Sequence, residues 1–378
     1  MGKQIPYDTL DEAINCIMNK IAMKEASESE DIKAIIEETI FQLPMYQTYS
    51  LVEKGAIAKV LFHRMCAYDV LQPLLEEREV TEIMCNGYNN IFVERYGVLQ
   101  KTDVSFSDAQ HYRALLQRIA ADVNRKIDFS SPIVDARLTD GSRVNIVLNP
   151  VAINGPILTI RKFSKRAYSL EDLQSMDSLS DDGLKILRTA VQNRQNIFIS
   201  GGTGSGKTTL LNALCKEIDE VERIITIEDS AEITIEGIEN VVTLEKRNAN
   251  LEGVGEISIA ELIRTALRMR PDRIIVGEIR GAEAIDMLQA MNTGHSGSIS
   301  TGHANNTLDM LRRIETMVLS GLEIPVDAIR QQISSAIDIV VHTERLKNGQ
   351  RRIASIDRLI GHDKEGFMLE SVVTKGRT

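Results

Sequence analysis

Residues 199–210 read ISGGTGSGKTTL, and this stretch decides the class of fold. It satisfies the pattern GxxxxGK[ST] through Gly201, Gly206, Lys207 and Thr208, and it lies between an apolar segment, NIFIS, and a run of helix formers, TTLLNALCKEI. A glycine-rich loop between a strand and a helix aims backbone N–H groups at an anion, and the lysine adds a positive charge at the β- and γ-phosphates. The stretch therefore predicts a phosphate-binding loop in an α/β nucleotide-binding domain.

Every residue of this loop is a candidate for contact with the nucleotide, and the hydroxyl of Thr208 is a candidate ligand of Mg²⁺. A glycine-rich turn with an unrelated lysine is the alternative, but it does not explain why a strand and a helix lie on the required sides. The candidates are Gly201, Gly202, Thr203, Gly204, Ser205, Gly206, Lys207, Thr208 and Thr209.

Two apolar segments after the loop end in acidic residues, RIIVGE in Glu278 and TIED around Glu228. In parallel sheets, ligands bind at the carboxyl ends of strands, where both acids are expected. We expect Glu278 to contact Mg²⁺ through water, because Gly277 precedes it where an aspartate is usual. Glu228 is the better candidate to orient or deprotonate an attacking water. For Asp229 and Glu232, helix capping or pairing with arginines remains open.

Two histidines, His295 and His303, flank a short strand of small residues in NTGHSGSISTGHANN. The pattern favours a polar sensor strand near the phosphate. A metal site that uses both histidines and a turn with two solvated histidines remain open alternatives.

The composition excludes several classes of protein. The chain of 378 residues exceeds one core and predicts at least two domains, and 43% hydrophobic with 26% charged residues is typical of a soluble globular protein. No apolar run approaches the roughly 20 residues that span a bilayer, and the N-terminus does not resemble a secretion signal, so we expect a cytoplasmic protein. The four cysteines form no CxxC pair, and the net charge of -10 argues against generic nucleic-acid binding. We expect no sequence-specific binding of nucleic acid.

The pattern of apolar and polar residues changes along the chain and predicts four segments. In residues 1–70, apolar residues recur at helical spacing, which predicts a helical N-terminal extension. Residues 71–163 contain short strand-like segments, a DG turn and one helical segment, which predict an α/β domain. The polar stretch 164–180 is interpreted as a linker. In 181–378, strands and helices alternate, which predicts a mostly parallel sheet covered on both faces.

The order of motifs GGTGSGKTT, TIEDSAE, LRMRPDRIIVGEIRG and AMNTGHSGSISTGHAN resembles the secretion ATPase superfamily of type II secretion, type IV pili and type IV conjugative export. The stretches DARLTDGSRVN and GPILTIRKF resemble the CpaF-type branch, which serves Tad or Flp pilus assembly. The resemblance covers about residues 70–360. It makes 201–208 the Walker A box, 228–232 the Asp box, Glu278 the Walker B acid and 295–303 the His box.

This resemblance implies a homohexameric ATPase that uses ATP and Mg²⁺, with ATP bound between an N-terminal α/β domain and a RecA-like C-terminal domain. It implies inner-membrane platform proteins as partners and peripheral association with the cytoplasmic face of the inner membrane. Arginines from the N-terminal side complete the pocket in this family, and Arg137, Arg143 and Arg161 are the candidates. A guanidinium that reaches a γ-phosphate makes domain closure depend on that phosphate, whereas each arginine taken singly is equally consistent with a surface charge.

The leading hypothesis is therefore a motor that hydrolyses ATP to drive Tad or Flp pilus assembly or protein secretion. Conjugative export and pilus retraction share the same motifs and remain alternatives. A P-loop kinase is a more remote alternative, because the chain shows no segment for an acceptor pocket or lid. A nonenzymatic nucleotide switch is a third class of function that remains open.

Overall fold

The computed structural model describes residues 7–24, 29–163, 167–247 and 254–374. The chain divides into two compact units, Met1–Ser164 and Lys165–Thr378, and each has hydrophobic clusters of its own. None of the helices in the described ranges combines the length and the apolar character that crossing a bilayer requires.

The first unit begins with three helices, α1 (Tyr7–Lys24), α2 (Ser29–Gln42) and α3 (Leu51–Cys66). Their apolar faces share a small core, so the predicted helical extension is confirmed. Helix α3 starts with a capping box, in which the side chains of Ser50 and Glu53 each accept a hydrogen bond from the other's backbone N–H.

The remainder of the first unit is a six-stranded antiparallel sheet in the order β3-β2-β1-β6-β5-β4, with helix α5 sharing the core of its buried face. Alternate strand residues are buried against α5, which is the period-2 pattern of a sheet with one covered face. The elements are α4 (Gln72–Glu76), β1 (Val80–Asn86), β2 (Ile91–Arg95), β3 (Val98–Lys101), α5 (Ala109–Asp122), β4 (Ile133–Arg137), β5 (Arg143–Val147) and β6 (Ile157–Arg161).

The second unit is an eight-stranded sheet in the order β14-β13-β12-β7-β11-β10-β8-β9, with one hydrophobic cluster on each face. The six strands from β12 to β9 in this order are parallel, as the alternation of strands and helices predicted. The elements are α6 (Leu170–Ser175), α7 (Asp181–Gln192), β7 (Ile197–Gly201), α8 (Lys207–Cys215), β8 (Ile224–Glu228), β9 (Val241–Glu245), α9 (Ile259–Ala266), β10 (Arg273–Val276), α10 (Ala284–Asn292), β11 (Ile299–Gly302), α11 (Thr307–Leu319), α12 (Val326–Ala336), β12 (Ile339–Arg345), β13 (Arg351–His362) and β14 (Phe367–Thr374).

The interpretation of 164–180 as a linker needs a correction. Helix α6 lies within this stretch, is capped by Ser169, and contributes Leu170 and Leu173 to the core of the second unit. Leu179 is buried there as well. Residues 164–166 lie outside the described ranges. The polar residues from Ser169 onward are solvent-facing and capping positions of a short helix, so the part from Leu170 onward belongs to the second unit.

Candidate nucleotide-binding site

The phosphate loop joins β7 to α8 at the carboxyl edge of the parallel strands. Gly204 and Gly206 have positive φ angles of 68° and 99°, which favour glycine, and Gly206 is the N-cap of α8. At Gly201, a Cβ atom would lie 2.4 Å from Oγ1 of Thr343 and 2.5 Å from Oγ of Ser205. The glycines of the motif are therefore required by the shape of the loop.

Lys207 is 8% exposed, and its ammonium is held against the loop. Its Nζ donates hydrogen bonds to the carbonyl oxygens of Gly201, at 3.2 Å, and Gly202, at 3.0 Å. Carbonyl oxygens accept hydrogen bonds from the ammonium and do not neutralise its charge.

His303 follows β11, the parallel neighbour of β7, and lies between Lys207 and Glu278. Its Nδ1 is 3.4 Å from Nζ of Lys207, and its Nε2 is 3.0 Å from Oε1 of Glu278. Because an ammonium can only donate, Nδ1 must accept, and the proton of the neutral ring is then on Nε2. Burial and the charge of Lys207 lower the pKa of His303, so the ring stays neutral.

Glu278 lies two residues after the end of β10, and its side chain is 19% exposed. Burial alone would raise its pKa, but the hydrogen bond and the charge of Arg280 outweigh burial and lower it below the usual value. Oε2 accepts a hydrogen bond from Arg280 at 2.8 Å, whereas Oε1 is buried and accepts none from the described residues. The contact of His303 with Oε1 is therefore electrostatic.

A buried, ionised carboxylate oxygen without a donor suits Mg²⁺ or a water of its shell, so Glu278 fits such an ion. The hydroxyl of Thr208, in the first turn of α8, is the other candidate ligand. In the described part of the chain, no group of three or more His, Cys, Asp or Glu side chains could hold a metal alone. This fits an ion held mainly by phosphate oxygens and water.

Glu228 ends β8 and is 4% exposed. Its Oε2 accepts hydrogen bonds from the backbone N–H of Glu232, at 2.7 Å, and of Ile233, at 3.0 Å. A Cβ atom at Gly277 would lie 2.9 Å from Cγ of Glu228. The glycine that replaces the expected aspartate therefore makes room for Glu228, which holds the following turn as well as facing the edge that carries the loop.

For Asp229, helix capping and ion pairing were both open, and the structure shows ion pairing. Asp229 contacts the ammonium of Lys246 and lies 3.7 Å from Arg280, which also binds Glu278. Glu232 contributes its backbone N–H to Glu228. Arg280 thus ties the ends of β8 and β10 together.

The two histidines that flank β11 lie at opposite ends of this strand. Strands β7 and β11 are parallel, so the loop after β7 lies beside His303, at the carboxyl end of β11, and His295 precedes the amino end. The four residues of β11 separate these ends by about 13 Å at roughly 3.3 Å per residue. The two histidines therefore cannot share a metal ion. The carbonyl oxygen of His295 accepts a hydrogen bond from Ser298, which stabilises the turn.

The carboxyl end of β12 supports the loop, and no motif in the sequence indicated this contact. Thr343 pairs with Gly201 across the sheet, and its Oγ1 lies 2.8 Å from Oγ of Ser205 and donates to the carbonyl oxygen of Ser200 at 3.1 Å. Two arginines that flank the turn between β12 and β13 also approach the loop. They are Arg345, 3.5 Å from the Cβ position at Gly204, and Arg351, 3.6 Å from the Cβ position at Gly206.

The three candidate arginines lie in the first unit, in one row across β4, β5 and β6. Arg137 pairs with Arg143, and Arg143 pairs with Arg161, so their side chains point to the same face of the sheet. Arg161 is half exposed and lies 3.7 Å from Glu82. Arg137 donates to the carbonyl oxygen of Gly141 at 3.2 Å. The fold thus brings together residues that are distant in sequence.

Comparisons with known proteins place this site in a family. The model of the family "Type II/IV secretion system protein" matches residues 67–360. A putative conjugal transfer protein of Mycobacterium tuberculosis is 36% identical over 305 residues, which cover 79% of this chain and 86% of that protein. The type IV secretion system protein PtlH of Bordetella pertussis is 35% identical over 326 residues, covering 79% of this chain and 95% of that protein.

Solved structures share the fold. The ATPase DotB of Legionella pneumophila superposes with a TM-score of 0.56 at 24% identity, over 78% of this chain and 80% of that chain. The pilus retraction motor PilT with bound ADP gives a TM-score of 0.55 at 21% identity, over 81% and 82%. The phosphate loop, the acids at the strand ends and these matches agree, and the chain is accordingly a member of the type II/IV secretion system protein family and an ATPase.

Proposed function

We propose that this ATPase powers assembly of a Tad or Flp pilus, or secretion through a related machine, as a homohexamer at the cytoplasmic face of the inner membrane. The contact of His303 with both Lys207 and Glu278 is the observation that supports a motor most directly. A neutral imidazole between the phosphate-binding lysine and the Walker B acid would shift when a γ-phosphate arrives or leaves.

Each residue has a distinct role in this proposal. The loop N–H groups and Lys207 bind the β- and γ-phosphates, and Thr208 and Glu278 would hold Mg²⁺, which neutralises charge on the phosphates. Glu228 orients or deprotonates the attacking water. Its carboxylate also accepts hydrogen bonds from the backbone of the next turn, and catalytic hydrogen bonds commonly tighten only in the complex with substrate.

The arginine row of the first unit would contact the phosphates when the units close around ATP. A guanidinium binds a phosphate with two parallel hydrogen bonds, so the closed state is favoured only while the phosphate is present. Hydrolysis removes the contact and releases the closed state. Repetition of this cycle in each subunit of a ring would convert ATP hydrolysis into movement. Platform proteins of the inner membrane would receive this movement.

Among the machines, the stretches DARLTDGSRVN and GPILTIRKF support the Tad or Flp branch. The relatives named as conjugal transfer and type IV secretion proteins favour conjugative export as a second candidate. Replacing the gene by its Lys207→Ala allele in the source organism separates the two. We expect loss of surface pili with unchanged conjugation frequency, and loss of conjugation with intact pili would establish the second candidate.

A further inference from the structure

The helical extension carries a concave groove between α2 and α3, which we call the α2–α3 groove. Its volume is about 510 Å³, and its walls include Phe41, Leu51, Gly55, Ala58 and Phe62. Phe41 is 51% exposed and Leu51 is 74% exposed, so large apolar side chains line an open surface. The groove is therefore a concave surface with exposed apolar side chains that a partner could cover.

The floor of the groove is adapted to close approach. Gly55 lies within α3, where glycine destabilises a helix, and no heavy atom lies within 4 Å of the position that its Cβ would take. Together with the small side chain of Ala58, this leaves room for another backbone directly against α3. A concave floor of small residues fits a helix about 10 Å in diameter better than it fits a flat bilayer surface.

The charge of the groove differs from that of the whole chain. Lys33, Lys54 and Lys59 line it together with Glu37, whereas the chain has a net charge of -10. Lys59 lies 3.3 Å from Glu76, but Lys33 and Lys54 have no carboxylate partner among the residues that the structure describes. A basic groove in an acidic protein selects an acidic ligand.

The groove also lies outside the part of the chain that the family shares. The family match begins at residue 67, whereas α1–α3 end at Cys66 and form their own core. ATP binding and hydrolysis therefore do not account for the groove, which leaves it available for recognition of a partner.

We propose that the α2–α3 groove binds an acidic amphipathic helix of another protein. Apolar side chains of that helix at i, i+3, i+4 and i+7 contact Phe41, Leu51 and Phe62, and its acidic flank faces Lys33 and Lys54. The helix backbone passes over Gly55.

The test uses the full chain and a fluorescent 18-residue peptide with leucines on one helical face and glutamates on both flanks, and it measures binding by anisotropy. We expect Gly55→Met, which fills the groove, to weaken binding at least about tenfold, and Lys54→Glu to weaken it by a similar factor. Ala56→Met is the matched control, because Ala56 is the next residue of α3, is exposed and does not line the groove. ATPase activity should be the same in all variants, which shows that each one is folded.

Several results would overturn the proposal. These are equal binding of a peptide with lysines in place of the glutamates, no binding of the acidic peptide, and equal binding by Gly55→Met and wild type. Binding of phosphatidylglycerol vesicles that Gly55→Met abolishes, without peptide binding, would identify a membrane surface instead. A smaller oligomer of Gly55→Met in light scattering would identify a second copy of this chain as the occupant.

Discussion

At the scale of single residues, the site contains a buried ammonium, that of Lys207, which contacts neutral polar groups. Two carbonyl oxygens and a neutral imidazole surround the ammonium of Lys207. None of these groups cancels its charge, and Coulomb attraction to a phosphate is stronger in a buried setting than in water. Gly201, whose carbonyl is one of these acceptors, was predictable from the motif, since a Cβ atom there would lie 2.4 Å from Oγ1 of Thr343.

Lys207→Ala should abolish turnover and weaken ATP binding, because the charge at the β- and γ-phosphates is lost while the glycines keep the loop folded. Steady-state ATPase assays and titration with a fluorescent ATP analogue measure both effects. Lys185→Ala, at an exposed position of α7, is the control and should behave as wild type. Wild-type activity of Lys207→Ala would refute the assignment of the loop.

Glu228→Gln should retain ATP but reduce kcat by about 10²- to 10⁴-fold, because it removes the base and keeps one oxygen for the turn at 232–233. Glu278→Gln should instead weaken the dependence of ATP binding on Mg²⁺, because it removes the charge beside the ion. Single-turnover hydrolysis and Mg²⁺ titrations separate these effects. Normal hydrolysis by Glu228→Gln together with a stalled Glu278→Gln would transfer the role of base to Glu278.

The lowered pKa of His303 predicts the acid limb of the ATPase pH profile. The ring stays neutral while pH falls through the ordinary histidine pKa, so the rate should hold there and decline only as pH falls through the lowered pKa. Below that point, imidazolium would face the ammonium of Lys207. His303→Gln should be slower and lack this limb. Burial also lowers the pKa of His342, which contacts Ser200, so His342→Gln is the control and should keep the limb.

At the scale of elements, the local sequence pattern was sufficient to predict a strand where that strand is buried on both faces of the sheet. Strands β7, β8 and β10 are buried along their whole length, and the sequence predicted them as strands of a mostly parallel sheet covered on both faces. The antiparallel edge strands β13 and β14 were not predicted. In RRIASIDRLIGH, polar and apolar residues mix because one side of the edge faces solvent, so the alternation is weak.

Long-range pairing explains what the sequence could not indicate about the site. The support that Thr343 gives to the phosphate loop follows from the parallel pairing of β12 with β7, across about 140 residues of chain. His295 is the converse case, because it is near His303 in sequence but β11 separates the two residues. Nearness in sequence predicts nearness in space within a loop and fails across a strand.

The end of β12 should therefore matter for nucleotide binding. Thr343→Val removes the hydroxyl that bonds Ser205 and the backbone of Ser200, and an unsatisfied buried group costs about 1–3 kcal/mol. We expect the KM for ATP to rise roughly 5- to 100-fold with a smaller change in kcat. Thr343→Ser keeps the hydroxyl and should restore the wild-type KM. Equal KM values for both variants would show that β12 does not position the loop.

At the scale of the whole molecule, the separation into two units allows their contributions to be tested separately. A truncated protein should begin at Ala167, because Lys216 donates a hydrogen bond to its carbonyl oxygen at 2.9 Å and Leu170 is buried in the second core. It keeps the loop and the acids but lacks the arginine row. We expect weak nucleotide binding without most of the hydrolysis rate, measured by calorimetry and phosphate release. Undiminished turnover in this fragment would show that the second unit alone completes the site.

Loss of rate in a fragment also follows from failed ring assembly, so the sharper test changes the arginines in the full chain. Arg137, Arg143 and Arg161 share one face of the sheet, and a guanidinium that stabilises charge on the transferring phosphoryl group can be worth about 10³- to 10⁵-fold in turnover. Arg161→Ala should therefore assemble like wild type in light scattering and hydrolyse slowly. Arg113→Ala, at an exposed position of α5, is the matched control. A direct role requires slow hydrolysis by an intact ring, because a surface charge would change the rate little. Full activity of Arg137→Ala, Arg143→Ala and Arg161→Ala alike would eliminate the arginine mechanism.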